Sequence, residues 1–133
     1  MKYLLAFVRD QDRMYEGTEE DMKAAMDAWN EFDREAIEAG VLIANEALEL
    51  PKTGKTVRFG EAGERAVTDG PFAETKEQLG GFYVFECGDL DEALELAARI
   101  PGARHGAVEV RPVWELPADM AATPAGASAS RAD

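Results

Sequence analysis

Lys2–Val8 reads KYLLAFV, one lysine followed by six apolar residues. A strand with one wet face alternates apolar and polar positions. This run does not alternate, so it predicts a strand that needs cover on both faces. The charged stretch RDQD follows at once. The run is therefore far short of the roughly 20 apolar residues that cross a bilayer, and too poorly flanked for an export signal. It is expected to be the first strand of a cytoplasmic protein.

The rest of the chain can be divided from its caps and turn residues. Thr18 and Asp21 have near capping-box spacing, and Met22, Ala25, Met26, Trp29, Ala36 and Ile37 recur at helical steps until Gly40. Val41–Leu50 (VLIANEALEL) reads as a strand closed by Pro51. Gly54, Gly60, Gly63 and Gly70 then punctuate a segment that predicts a hairpin, 56–60 paired with 64–68. Gly80–Cys87 (GGFYVFEC) is an aromatic-rich strand. Asp89 and Glu92 cap a second helix with an apolar stripe of Leu90, Ala93, Leu94 and Ala97, stopped by Pro101. Ala107–Glu115 is the last strand, with Val108, Val110, Pro112 and Trp114 on one side and Glu109 and Arg111 on the other, and Pro112 marks it as an edge. From Pro117 the composition turns to Ala, Ser, Gly and Pro. Residues 1–116 are thus expected to form one domain and 117–133 a disordered tail.

Strand, helix, strand, inserted hairpin, strand, helix, strand is the split βαβ order of a ferredoxin-like α+β domain with an antiparallel sheet. Two helices can cover only one face of that sheet. Half of KYLLAFV and of FYVFEC would remain on the other face, too apolar for water, and a second copy is expected to cover it, giving a homodimer.

Composition removes several function classes. Twenty-seven acids against 14 Lys and Arg give a formal net charge of −13, with no basic stripe, so nucleic acid and anionic membrane surfaces are not expected partners. The single cysteine, Cys87, allows no internal disulfide and lies in an apolar strand, where a buried inert thiol is expected. Ser128 and Ser130 in the tail are the only serines, which removes a serine triad, and one histidine, His105, cannot build a histidine-rich metal site. His105 is expected to be an exposed loop residue. The glycines lack phosphate-loop or dinucleotide spacing, so no nucleotide is indicated, and neither cofactor nor metal is expected.

The stretch TDGPFAETKE, residues 68–77, holds the sharpest candidate site. Asp69 before Gly70-Pro71 suits a tight turn, because a carboxylate there bonds nearby backbone N–H groups and proline restricts φ. The same rigidity would pre-organise Asp69 as a general base or acceptor at a pocket rim, with Phe72 as an apolar wall. Both readings stay open. Glu46, Arg58, Phe72, Lys76 and Arg111 are the candidate ligand-binding residues, the two arginines as anchors for a polar or anionic small molecule.

TDGPFAETKEQLGGFYVFE, the helix DLDEALELAARIP and the strand GAVEVRPV together resemble the YCII-related family, in the branch named for its Asp-Gly-Pro-Phe motif. The resemblance implies a dimeric α+β barrel of two ferredoxin-like sheets packed face to face. It also implies an acid at Asp69, which in the wider family pairs with a histidine near the first strand. No histidine precedes His105 here, so that dyad and the dehydrochlorinating activity of some relatives do not carry over. Members of the branch often sit beside extracytoplasmic-function sigma factors, which makes a regulatory role with such a protein partner the alternative to ligand binding.

Overall fold

The computed structural model of the 133-residue chain describes residues 1–10 and 17–120. The strands are β1 (Lys2–Asp10), β2 (Leu42–Ala47), β3 (Lys55–Phe59), β4 (Arg65–Asp69), β5 (Glu77–Glu86) and β6 (Gly106–Pro112). The helices are α1 (Glu19–Glu38) and α2 (Leu90–Arg99). β2, β5, β1 and β6 form one sheet in that order, with every neighbouring pair antiparallel, while β3 and β4 form a separate hairpin. This is the expected ferredoxin-like α+β domain, with β6 on an edge as Pro112 implied. No helix among the described residues is long and apolar enough to cross a membrane. Residues 121–133 of the expected tail lie outside the described residues.

Local chemistry sets the helix starts. The Asp21 N–H donates to Thr18 Oγ1 at 3.1 Å and the Thr18 N–H donates to Asp21 Oδ2 at 3.0 Å, a full capping box with Asp in place of Glu. Asp89 accepts from the Glu92 N–H at 2.9 Å at the start of α2, and the Glu92 carboxylate accepts from the Gly88 N–H at 3.0 Å.

Alternation along β1 and β5 then divides the sheet. Tyr3, Leu5 and Phe7 face the helices beside Tyr83, Phe85 and Cys87, where Phe32 and Ala36 of α1 and Ala93 and Ala97 of α2, with Ile100 just beyond it, close over them. The core is an aromatic column. The rings of Tyr83 and Phe85 stack at 5.2 Å, Phe32 meets Tyr83 edge-on at 5.4 Å, and Trp29 stacks on Tyr83 at 6.3 Å. Each such pair adds roughly 0.5–1.5 kcal/mol beyond its area. Cys87 is buried and its thiol pKa is raised by that burial, in keeping with an inert side chain.

The helix stripes differ from their sequence patterns. Met26 and Ile37 are 62% and 63% exposed, and α1 instead meets the sheet through Trp29, Phe32 and Ala36. In α2, Leu90 and Leu94 are exposed while Ala93 and Ala97 are buried. Alanines at the contact let the helix lie close to the sheet, and the larger leucines point aside. β2 ends at Ala47 because a 3₁₀ turn at Pro51–Thr53 redirects the chain, and β6 ends at Pro112, leaving Trp114 79% exposed. The hairpin pairs 55–59 with 65–69, in the expected register, with Thr56 opposite Thr68, and with strand limits shifted by one residue.

The Tyr83 hydroxyl donates to Asp33 Oδ1, and burial first, then that bond, raises the phenol pKa above its ordinary 10.0. The folded state therefore holds this proton more tightly than the unfolded chain. Its contribution is complete below pH 10 and is lost as pH rises further. Tyr83→Phe is expected to lower stability by roughly 1–2 kcal/mol near neutrality, because Asp33 loses its donor. In urea melts above pH 10 the variant should lose less additional stability than the wild type; equal alkaline losses would contradict this assignment.

Candidate functional site

The Asp-Gly-Pro-Phe stretch forms the corner between β4 and β5. Gly70 has φ +91°, a backbone conformation that side-chain-bearing L residues rarely adopt. Its N–H donates to the Gly54 carbonyl at 2.8 Å, and Thr56 Oγ1 donates to the Gly70 carbonyl at 2.9 Å. Arg58 Nη2 donates to the Phe72 carbonyl at 2.9 Å, while Gln78 Nε2 donates to the carbonyls of Ala73 and Thr75 at 2.8 and 2.9 Å. Side chains of β3 and β5 thus tie down four of the corner's carbonyls, and the corner is as rigid as its sequence implied.

That rigidity does not bring the predicted site residues together within one chain. The side chain of Asp69 is 87% exposed and ion-paired to Lys55 Nζ at 2.6 Å. Arg58 and Phe72 do meet, through the bond above, but the Phe72 ring is 78% exposed. Lys76 lies 3.6 Å from Asp10 Oδ2. Glu46 sits on β2 opposite Phe82, and Arg111 on β6 opposite Leu4, where it bonds Glu109 at 2.6 and 2.9 Å. β2 and β6 are opposite edges of the sheet, three strand spacings or about 14 Å apart. Asp69, Arg58 and Phe72 lie on the hairpin arm and its corner, Glu46 and Arg111 on the sheet face turned away from the helices, and Lys76 beside the end of β1.

That face is apolar along its middle. Leu4, Ala6 and Val8 of β1 pair with Val84, Phe82 and Leu79 of β5, and neither described helix packs over them. Leu79 is 43% exposed, and the others are half-buried. The arm repeats the pattern: Val57, Phe59 and Val67 share one face of the hairpin and are 52%, 70% and 52% exposed.

A cavity of about 780 Å³ lies at the far end of β1, between the first turns of α1 and the turn at 101–106. Met22 and Trp29 form its apolar side, and Arg9, Asp10, Arg104 and His105 are among its polar lining. His105 is exposed, as expected, but it stands at a cavity rim. Helical spacing put Met22 and Trp29 on one face of α1. No sequence signal joined them to His105 some 80 residues later. Asp69 does not line this cavity, although Glu77, at the end of its corner, does.

Gly70→Ala should cost about 1–3 kcal/mol, since an L side chain must take the positive φ. Asp69→Ala, which removes an exposed ion pair, should leave the melting temperature of the isolated chain nearly unchanged. Thermal melts of the two variants in parallel check this; an Asp69→Ala loss as large as that of Gly70→Ala would contradict it.

Residues 1–117 match the family model of the YCII-related domain. A protein of Rhizobium meliloti (strain 1021), itself of uncharacterised function, is 38% identical over 115 residues, which cover 85% of this chain and 92% of that protein. A family match across the whole folded domain, joined to the split βαβ sheet order, assigns the chain: it belongs to the YCII-related family.

Proposed function

We propose that this protein is a homodimer of the Asp-Gly-Pro-Phe branch that binds, and in some settings transforms, a small polar ligand at the seam between its two copies. The observation that carries this reading is the apolar row Leu4, Ala6, Val8, Leu79, Phe82 and Val84 on a sheet face that neither described helix covers. Burying such a row against an identical row removes apolar surface from water at about 25 cal/mol per Å², and a two-fold contact needs only one self-complementary patch.

The same assembly would give the dispersed residues a shared place. Glu46 and Arg111 border the apolar row, and Asp69, Arg58 and Phe72 sit on an arm whose own apolar face is bare. In a single chain Asp69 is exposed and ion-paired to Lys55. Cover from a second copy would take it out of water, the setting in which a general base works. Arg58 and Arg111 would anchor the ligand's polar or anionic group, with Phe72 as a wall and Lys76 at the rim.

A second reading is favoured by the exposed row Val57, Phe59 and Val67 on the arm. In it the arm docks another protein, such as an extracytoplasmic-function sigma factor, and the module is regulatory. Binding and assembly are coupled in the first reading, and that separates the two. Phe82→Asp should make the melting temperature independent of protein concentration and abolish the thermal shift given by metabolite ligands. Asp69→Ala should abolish the ligand shift alone. Ligand shifts equal in wild type and Asp69→Ala would reject the role of Asp69, and a concentration-independent wild-type melt would reject the dimer.

A further inference from the structure

We propose that the cavity between α1 and the 101–106 turn is a separate binding site for a small planar aromatic carboxylate. Arg104 and His105 would hold the carboxylate, and Trp29 would hold the ring. Its volume of about 780 Å³ suits a small organic molecule. The α1 side of the cavity is made of Met22, the small residues Ala24, Ala25 and Ala28, and Trp29, which leaves a low apolar wall ending in an indole. That indole is pre-positioned, edge-on to Phe7 at 5.5 Å and stacked on Tyr83 at 6.3 Å, so little side-chain entropy remains to be lost on binding.

The facing turn is held equally closely. A Cβ built on Gly102 would lie 2.7 Å from Phe7 Cζ and 3.0 Å from Trp29 Cζ2. The turn therefore presses directly onto the aromatic pair, and the two residues after Ala103 are set at a defined distance from the indole. Only the absence of a side chain at position 102 permits this approach.

The charges select the ligand's sign. Asp21 is committed to the α1 capping box, and Asp10 to Lys76 among its contacts. Glu77, which also lines the cavity, stands across the strand pair from Asp10. The His105 N–H donates to the Gly102 carbonyl at 3.0 Å, while the side chains of Arg104 and His105 have no hydrogen-bond or ion-pair partner among the described residues, although the chain carries 27 acids against 14 Lys and Arg. A guanidinium and an imidazole left open beside an aromatic wall match a planar monoanion, which takes paired N–H···O bonds from arginine. The strongly negative chain disfavours a polyanion in the same place.

The test uses 1-naphthoate as the probe and Trp114→Phe as the background, so that Trp29 is the sole tryptophan reporter. Naphthoate should quench Trp29 emission saturably, at one probe per chain, and equally well in the Phe82→Asp background, which separates this site from the proposed dimer seam. Arg104→Gln with His105→Gln should weaken binding by about tenfold or more, as should replacing the probe with neutral 1-naphthalenemethanol, because each removes a charge-assisted contact. Non-saturating quenching would overturn the proposal, and so would affinity retained by the double variant or by the neutral probe.

Discussion

A sheet covered by helices on one face only must still dispose of the apolar residues on its other face, and this constraint governs the whole molecule. Residues alternate across a strand, so the aromatic column that makes the core through Tyr83 and Phe85 puts Phe82 and Val84 on the opposite side. The protein cannot have one row without the other unless the second turns polar, and here it does not. The core and the bare face arise from the same two strands.

The Asp-Gly-Pro-Phe corner is built to hold a shape. Donors from Thr56, Arg58 and Gln78 satisfy its carbonyls, and a glycine takes its positive φ. What the corner carries outward, Asp69 and Phe72, is largely exposed. A rigid support with exposed functional groups is half of a site, and the unspent apolar surfaces of the arm and the sheet are where the proposed second half would come from. The cavity beside Trp29 is different in kind, because its described lining comes from α1, β1, β5 and the 101–106 turn of a single chain.

Much of the fold was legible in the sequence because it rests on local chemistry. Thr18 and Asp89 mark helix starts through their own side-chain bonds, Pro112 declares an edge by lacking a donor, and the unalternating KYLLAFV run reports two faces needing cover. The helix stripes were less legible. Met26 and Leu94 fit helical spacing as well as Phe32 and Ala97 do, and only the line of approach to the sheet decides which are buried. The cavity was not legible at all: Trp29 and His105 come to line one cavity through the packing of Gly102 against Phe7, a contact between distant segments that leaves no periodic trace. The turn at Gly70-Pro71 was legible, but the Asp69 carboxylate pairs with Lys55 across the hairpin and not with nearby backbone N–H groups, a cross-strand contact that no local pattern encodes.

The central claim is that the bare sheet face is closed by an identical one. Sedimentation equilibrium at micromolar concentration tests it most directly. The account predicts a mass of twice the 14.5 kDa chain. A mass of one chain, unchanged as the concentration is raised, would contradict it.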